Sequence, residues 1–99
     1  MKSRIIRDIL NRRTIVEKEA ELMVLRYLNR NTDFQPRIRN QAQQALSNTT
    51  SAAFPTHASN RCLETGKGRG IMSKWRLCRF QFRLKALSGG IPGVHKSSW

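Results

Sequence analysis

Few of the 99 residues carry side chains whose type suits them to chemistry, and those few are poorly spaced for it. Cys62 and Cys78 are the only thiols, His57 and His95 the only imidazoles, and five of the six carboxylates fall before residue 34. Nucleophilic catalysis needs a base within hydrogen-bond reach of the nucleophile and a third group to orient that base. Both histidines lie in segments of small polar residues, proline or glycine, where a lone imidazole is usually just solvated. Glu17 and Glu21 are spaced to share a helix face and read as surface charge rather than as a general acid and base. An enzyme is not expected, and neither is a cofactor.

The stretch with a recognisable capacity is Gly66-Lys67-Gly68-Arg69-Gly70. Glycine tolerates backbone conformations other residues avoid, so such a run brings main-chain groups close to a phosphate while Lys67 and Arg69 neutralise it. It is not a nucleoside-triphosphate loop, which wants glycine where Arg61 stands and Ser or Thr where Gly68 stands. A flexible solvated turn is the bland alternative. Residues 67–85 hold seven bases and no acid, whereas a solvated helix face normally mixes signs to support itself. Contact with RNA explains the segment better. Trp75, Phe80, Phe82 and Trp99 offer faces on which unpaired bases stack, although aromatics at helical spacing more often pack inside. Trp75 and Phe82 are assigned to packing, Phe80 and Trp99 to RNA.

Charge narrows the partner. Nineteen Lys and Arg against six Asp and Glu leave +13, a density that a polyanion relieves. Residues 1–33 hold eight bases and five acids (Asp8, Glu17, Glu19, Glu21, Asp33), while residues 34–99 hold eleven bases and only Glu64. Those eleven, Arg37, Arg39, Arg61, Lys67, Arg69, Lys74, Arg76, Arg79, Arg83, Lys85 and Lys96, form with Trp99 the candidate RNA-binding set. The N-terminal third is left as a scaffold. Hydrophobic residues make up 38%, under the roughly 45–50% of ordinary globular domains. The core should be thin and the chain should depend on its partner for order. No run reaches the roughly 18 apolar residues of a membrane span, and no secretory signal is visible. The protein is expected to be soluble and unsecreted, which makes two cysteines a poor disulfide framework, although a bridge between them stays open.

The elements that must position these groups are mainly helical. Ile5, Ile6, Ile9, Leu10, Val16, Ala20, Val24 and Leu28 recur at spacings of three and four and predict one long helix over residues 4–30. Thr14 and Glu17 have the spacing of a capping box, the alternative being a restart of the helix there. Asn29, Asn31, Thr32 and Asp33 end it. Pro36 suits the first turn of a shorter helix running through Ala42, Ala45 and Leu46. Residues 47–60 contain no charge and no periodicity and read as an extended connector draped over another molecule, with Phe54 as its anchor. A third helix is expected from about Ser73 to Leu87, with Trp75, Cys78, Phe82 and Ala86 on one stripe and Arg76, Arg79 and Arg83 on the next. Gly89 and Gly90 stop it. The fold class is mainly α, elongated and irregular, with a helical N-terminal arm (1–46), a connector (47–60) and a basic RNA-binding region (61–99).

From Arg61 onward the sequence resembles the universal small-subunit ribosomal protein family S-fourteen. The resemblance rests on Asn60-Arg61-Cys62, Thr65-Gly66-Lys67, Arg69-Gly70, Leu77-Cys78-Arg79, Phe82-Arg83 and the ending Ile91-Pro92-Gly93-Val94-His95-Lys96-Ser97-Ser98-Trp99. About 40 residues agree in order and spacing; the first 60 match in general character with the longer form of the family. Some members are zinc ribbons, and their four ligand positions fall here on Cys62, Thr65, Cys78 and Gln81. Two of these bind zinc poorly, so the resemblance implies the metal-free version, a degenerate zinc-ribbon-like loop followed by a C-terminal helix and tail. Packing around Leu63, Cys78 and Phe82, together with RNA, would replace the metal in holding the loop onto the third helix.

The resemblance further implies a structural role in the head of the small ribosomal subunit, bound to the 3′ major domain of its RNA and touching neighbouring head proteins. It implies a part in assembly and in shaping RNA near the aminoacyl-tRNA site, with no membrane partner and no small-molecule substrate. A free-standing nucleic-acid-binding regulator is the alternative, but no groove-reading module is visible. A membrane-binding peptide should segregate its bases and large apolar groups on one long helix, yet the long helix is the least basic part. Residues 1–13 faintly resemble a mitochondrial targeting helix, although Asp8 is out of character and a structural helix fits better. No extension precedes the helical arm, so targeting information is expected to be uncleaved, already removed or unnecessary. The Lys96-Ser97-Ser98-Trp99 ending and the acid-rich first helix favour a mitochondrial ribosome over a bacterial or plastid one.

Overall fold

The three-and-four spacing of the N-terminal region is realised as a single helix, α1 (Ser3–Arg30), in a computed structural model that describes residues 2–99. Thr14 does not restart it. Its hydroxyl donates backward to the Leu10 carbonyl at 3.0 Å, within the helix rather than to a cap. The apolar stripe that was expected to pack is largely exposed: Ile6, Ile9, Leu10, Val16, Met23, Val24 and Tyr27 face solvent, and only Ile5 and Leu22 of α1 are buried. The helix therefore hides a narrower face than its periodicity suggests.

Asn31 and Asp33 close the link after α1, the Asp33 backbone N–H donating to the Asn31 side-chain oxygen at 3.0 Å. Helix α2 (Pro36–Asn48) starts at the expected proline and runs two residues past Leu46. Asn29 donates to the Gln43 side chain at 2.8 Å, and Arg39 donates to the Asn29 carbonyl at 3.3 Å, fastening α2 to the end of α1. Tyr27 and Phe34 meet edge to face with ring centres 6.0 Å apart.

The connector is less extended than expected. Ser51–Ala53 and Pro55–His57 each form one turn of 3-10 helix, the second begun by a proline whose φ already suits it. Ala53 is buried, and Phe54 sits within cation–π reach of Arg26, 6.0 Å from ring centre to guanidinium. Phe54 thus has an anchor within its own chain.

The chain divides into two compact units, one of residues 9–58 and the other of residues 2–8 with 59–99. In the second unit the expected long third helix is replaced by a hairpin and a shorter helix. Strands β1 (Ile71–Met72) and β2 (Leu77–Cys78) pair antiparallel, Ile71 opposite Cys78 and Met72 opposite Leu77, and α3 (Arg79–Leu87) follows at once. Residues 73–76 form the hairpin turn, in which the Arg76 N–H donates to the Met72 carbonyl at 2.8 Å and Arg76 takes a left-handed φ of 56°. Trp75 and Arg76 therefore do not lie on a helix. The expected packing partners still converge: Cys62, Leu77, Cys78 and Ile91 form a buried cluster against which Ile71, Trp75, Phe82, Ala86 and Val94 pack. Trp75 and Phe82 pack with ring centres 4.6 Å apart and planes tilted by 45°. Leu63, expected in this core, is exposed; its backbone N–H instead donates to the Arg76 carbonyl at 3.1 Å.

The turn over residues 62–67 closes with two backbone bonds of 2.9 Å, from the Cys62 N–H to the Lys67 carbonyl and from the Gly66 N–H to the Cys62 carbonyl. Gly66 has φ +73° and is buried against the start of α1; a Cβ there would lie 3.6 Å from Ile5 and 3.8 Å from Arg4 and Lys2. At the other end, Gly89 adopts φ +76° and the Gly90 N–H reaches the Lys85 carbonyl at 2.8 Å, the glycine stop expected for α3.

Cys62 and Cys78 are buried free thiols. Burial pushes the Cys62 thiol up, but the Thr65 hydroxyl and the backbone N–H groups of Thr65, Cys78 and Glu64 outweigh it and bring the pKa down to about 6. The same hydroxyl lies 3.8 Å from the Cys78 sulfur, so its single proton is within reach of either thiol. The turn thus supplies donors to a sulfur, as a metal-binding turn would.

Two outcomes test this description. A left-handed conformation costs a non-glycine residue about 1–2 kcal/mol, so Arg76→Gly should raise unfolding stability by about 1 kcal/mol, measured by urea titration; a loss of stability would show that the Arg76 side chain supports the fold. The paired change Thr65→Cys and Gln81→Cys completes the four zinc-ligand positions, and metal analysis should find one zinc per chain in that variant and none in the parent. Failure of the variant to take up zinc would mean that the turn and the start of α3 are not held at ribbon geometry.

Candidate nucleic-acid interface

The hairpin, the glycine loop and the first turn of α3 carry five of the eleven predicted bases. Arg79 begins α3, and its N–H donates to the Gly70 carbonyl at 2.9 Å. Gly70 has φ +62°, and a Cβ there would meet the Arg79 side chain at 3.5 Å. Glycine thus satisfies the turn and leaves room for the base to pass. Two cations approach the Phe80 ring, Lys67 at 4.5 Å and Arg79 at 4.9 Å from its centre. Each such contact at an exposed site is worth about 0.5–1 kcal/mol. Phe80 thus steadies both Lys67 and Arg79 while its ring stays half exposed.

Lys74 rests over Trp75 at 5.2 Å, and Arg76 and Arg83 are exposed. Lys96 and Trp99 lie exposed in the tail. Lys85 is engaged: it pairs with Glu64, the one acid of residues 34–99. Both side chains are about two-fifths exposed, so the pair contributes at most about 1 kcal/mol; its effect is to tie the 62–67 turn to α3. Arg37 and Arg39 belong to the other compact unit. The structure therefore brings nine of the eleven predicted bases into one unit.

Arg61, Lys67 and Arg69 line a concavity of about 430 Å³. Arg61 is fixed there by donating to the Gly66 carbonyl at 3.1 Å. Arg4 lines the same concavity, although the charge distribution had left it with the scaffold. No local signal in the sequence pairs Arg4 with residues some 60 positions away; only the close approach of α1 to Gly66 brings them together.

The donor set does not suit zinc. Threonine and glutamine occupy two of the four ligand positions, and among the described residues no group of three His, Cys, Asp or Glu side chains gathers to hold a metal ion. His57 and His95 are both exposed. Among the described residues, no helix is long and apolar enough to cross a membrane.

Comparison with known proteins matches residues 45–98 to the family described as ribosomal protein S14p/S29e. The chain is 42% identical, over its full length and 94% of the relative's, to small ribosomal subunit protein uS14m of Schizosaccharomyces pombe. It is 43% identical to the Neurospora crassa uS14m, over 97% of this chain and 85% of that one. With the bacterial uS14 of Chlamydia trachomatis serovar D it shares 34% identity over 99% of this chain and 97% of the relative. The similarity extends through the N-terminal 44 residues that the family match leaves out. With the family match covering more than half of the chain and these relatives nearly all of it, the chain belongs to the ribosomal protein S14p/S29e family, as a structural constituent of the small ribosomal subunit and not an enzyme.

Proposed function

We propose that this chain is an RNA-binding constituent of the mitochondrial small ribosomal subunit, gripping folded ribosomal RNA in the subunit head through residues 61–99. The observation that carries this reading is the arrangement of bases around the loop of residues 66–70. Glycine gives the backbone close access there, Phe80 lies against two cations, and Glu64, the one acid of residues 34–99, is occupied by Lys85. Cations held in place lose less freedom on binding than free surface lysines, so more of their attraction appears as affinity. The mitochondrial assignment rests on the two fungal relatives whose names carry that suffix and on their near-complete coverage. The head location, the contact with the 3′ major domain and a role in assembly rest on the resemblance of residues 61–99 to the family.

The N-terminal arm serves the protein side of the same assembly. Ile9, Leu10, Val16, Met23, Val24 and Tyr27 of α1 are exposed, and Glu17, Glu19 and Glu21 lie among them in sequence. Carboxylates repel phosphate, and an exposed apolar stripe gains by burial. A neighbouring protein suits that face better than RNA does.

Affinity of the full chain for small-subunit RNA should fall by several orders of magnitude between about 50 and 200 mM salt if six to ten phosphates are neutralised. A filter-binding series that stays flat over this range would contradict the reading. Replacing Arg76, Arg79 and Arg83 together by Gln should weaken binding at least about tenfold more than replacing Arg7, Arg12 and Arg13, since charged hydrogen bonds contribute about 1.5–3 kcal/mol each. Circular dichroism checks that helix content survives in both. Equal losses would remove the distinction between an N-terminal arm and an RNA-binding region.

A further inference from the structure

We propose that Arg4, Arg61, Lys67 and Arg69 form one phosphate-binding pocket, which clamps the first turn of α1 and the glycine loop onto the same stretch of RNA backbone. This inference rests on the RNA-binding reading above and adds to it a defined site and a residue outside the basic C-terminal region.

Four cations line the concavity, with Ser59 and Thr65 as hydroxyl groups between them and no carboxylate among the lining residues. Four like charges around a space of about 430 Å³ repel one another unless an anion enters. Arg61 is preset by its bond to the Gly66 carbonyl, which uses one guanidinium N–H and leaves the others for a ligand. Lys67 is steadied over Phe80. Gly68 keeps the space open: a Cβ there would lie 3.4 Å from an Arg61 guanidinium nitrogen and 3.9 Å from the Ser59 hydroxyl. Since Gly68 does not have a positive φ, the backbone alone does not require glycine there. A side chain there would crowd the Arg61 guanidinium and narrow the concavity.

Arg4 reaches this place because the start of α1 packs against Gly66, where the missing side chain admits the helix and Ile5 is buried. The ligand is a backbone phosphate of RNA rather than a base: the lining offers cations and hydroxyls but no aromatic face.

The test uses the full chain and a small-subunit RNA fragment that binds the native protein, with affinity measured over a salt series. Arg4→Gln should weaken binding about tenfold and lower the salt slope by about 0.7–0.9, the loss of one phosphate contact. Arg7→Gln, one turn along the same helix and outside the pocket, should change affinity less than twofold. Gly68→Val fills the concavity without altering charge and should match the Arg4→Gln loss, with circular dichroism confirming that both variants retain native helix content. Native-like binding by Arg4→Gln, an equal loss in Arg7→Gln, or unchanged affinity in folded Gly68→Val would each overturn the pocket. Failure of the native chain to bind any small-subunit RNA would instead overturn the RNA-binding reading itself.

Discussion

The turn from Cys62 to Lys67 closes on itself by two backbone hydrogen bonds and on the hairpin by a third, from Leu63 to Arg76. Each part of the C-terminal unit depends on that closure. It buries Cys62 beside Cys78, sets Gly66 where α1 begins, and delivers Arg61, Lys67 and Arg69 to one side of the loop. In a zinc ribbon a metal would hold four ligands at these positions and contribute folding energy directly. Here the same turn is held by N–H and O–H donors to a sulfur, by the small apolar cluster around Cys62, Leu77, Cys78 and Ile91, and by the Glu64–Lys85 pair.

Such a core is small for the charge it supports. It gathers nine apolar or thiol side chains in a unit whose residues from 59 onward carry nine bases and one acid. Mutual repulsion of those bases opposes compaction; under the proposed function, RNA would both relieve that repulsion and, by mass action, stabilise the folded form. Stability and function would then be coupled through the ligand. The left-handed Arg76 fits that logic: a guanidinium stands at the hairpin turn where glycine would relax the backbone.

Much of the fold was legible from residue spacing, and its failures have physical causes. The long first helix, the proline that opens the second and the glycine stop of the third follow from local rules that hold whatever packs around them. The start of the third helix did not follow. Trp75, Cys78, Phe82 and Ala86 satisfy helical spacing, yet a hairpin that turns through residues 73–76 brings the same four to one core. No glycine or asparagine marks that turn, because its left-handed position is filled by Arg76. The apolar stripe of α1 was visible, but periodicity gives no sign of which face meets a partner within the chain, and Ile9, Val16 and Val24 stand exposed while Leu22 is buried. The basic loop was legible from composition. Arg4 was not, because its place beside Arg61 and Lys67 depends on an approach between residues far apart in sequence, and Phe80's two cations likewise depend on how the hairpin folds back.

Ultraviolet cross-linking of intact small subunits, followed by mass spectrometric mapping of nucleotide-bearing peptides, tests the central claim most directly. Cross-links should concentrate in peptides from residues 59–85 and the tail, with a further set at residues 2–7 and few in the acid-bearing middle of α1. Cross-links confined to residues 9–58, with the glycine loop and hairpin unmarked, would contradict the account.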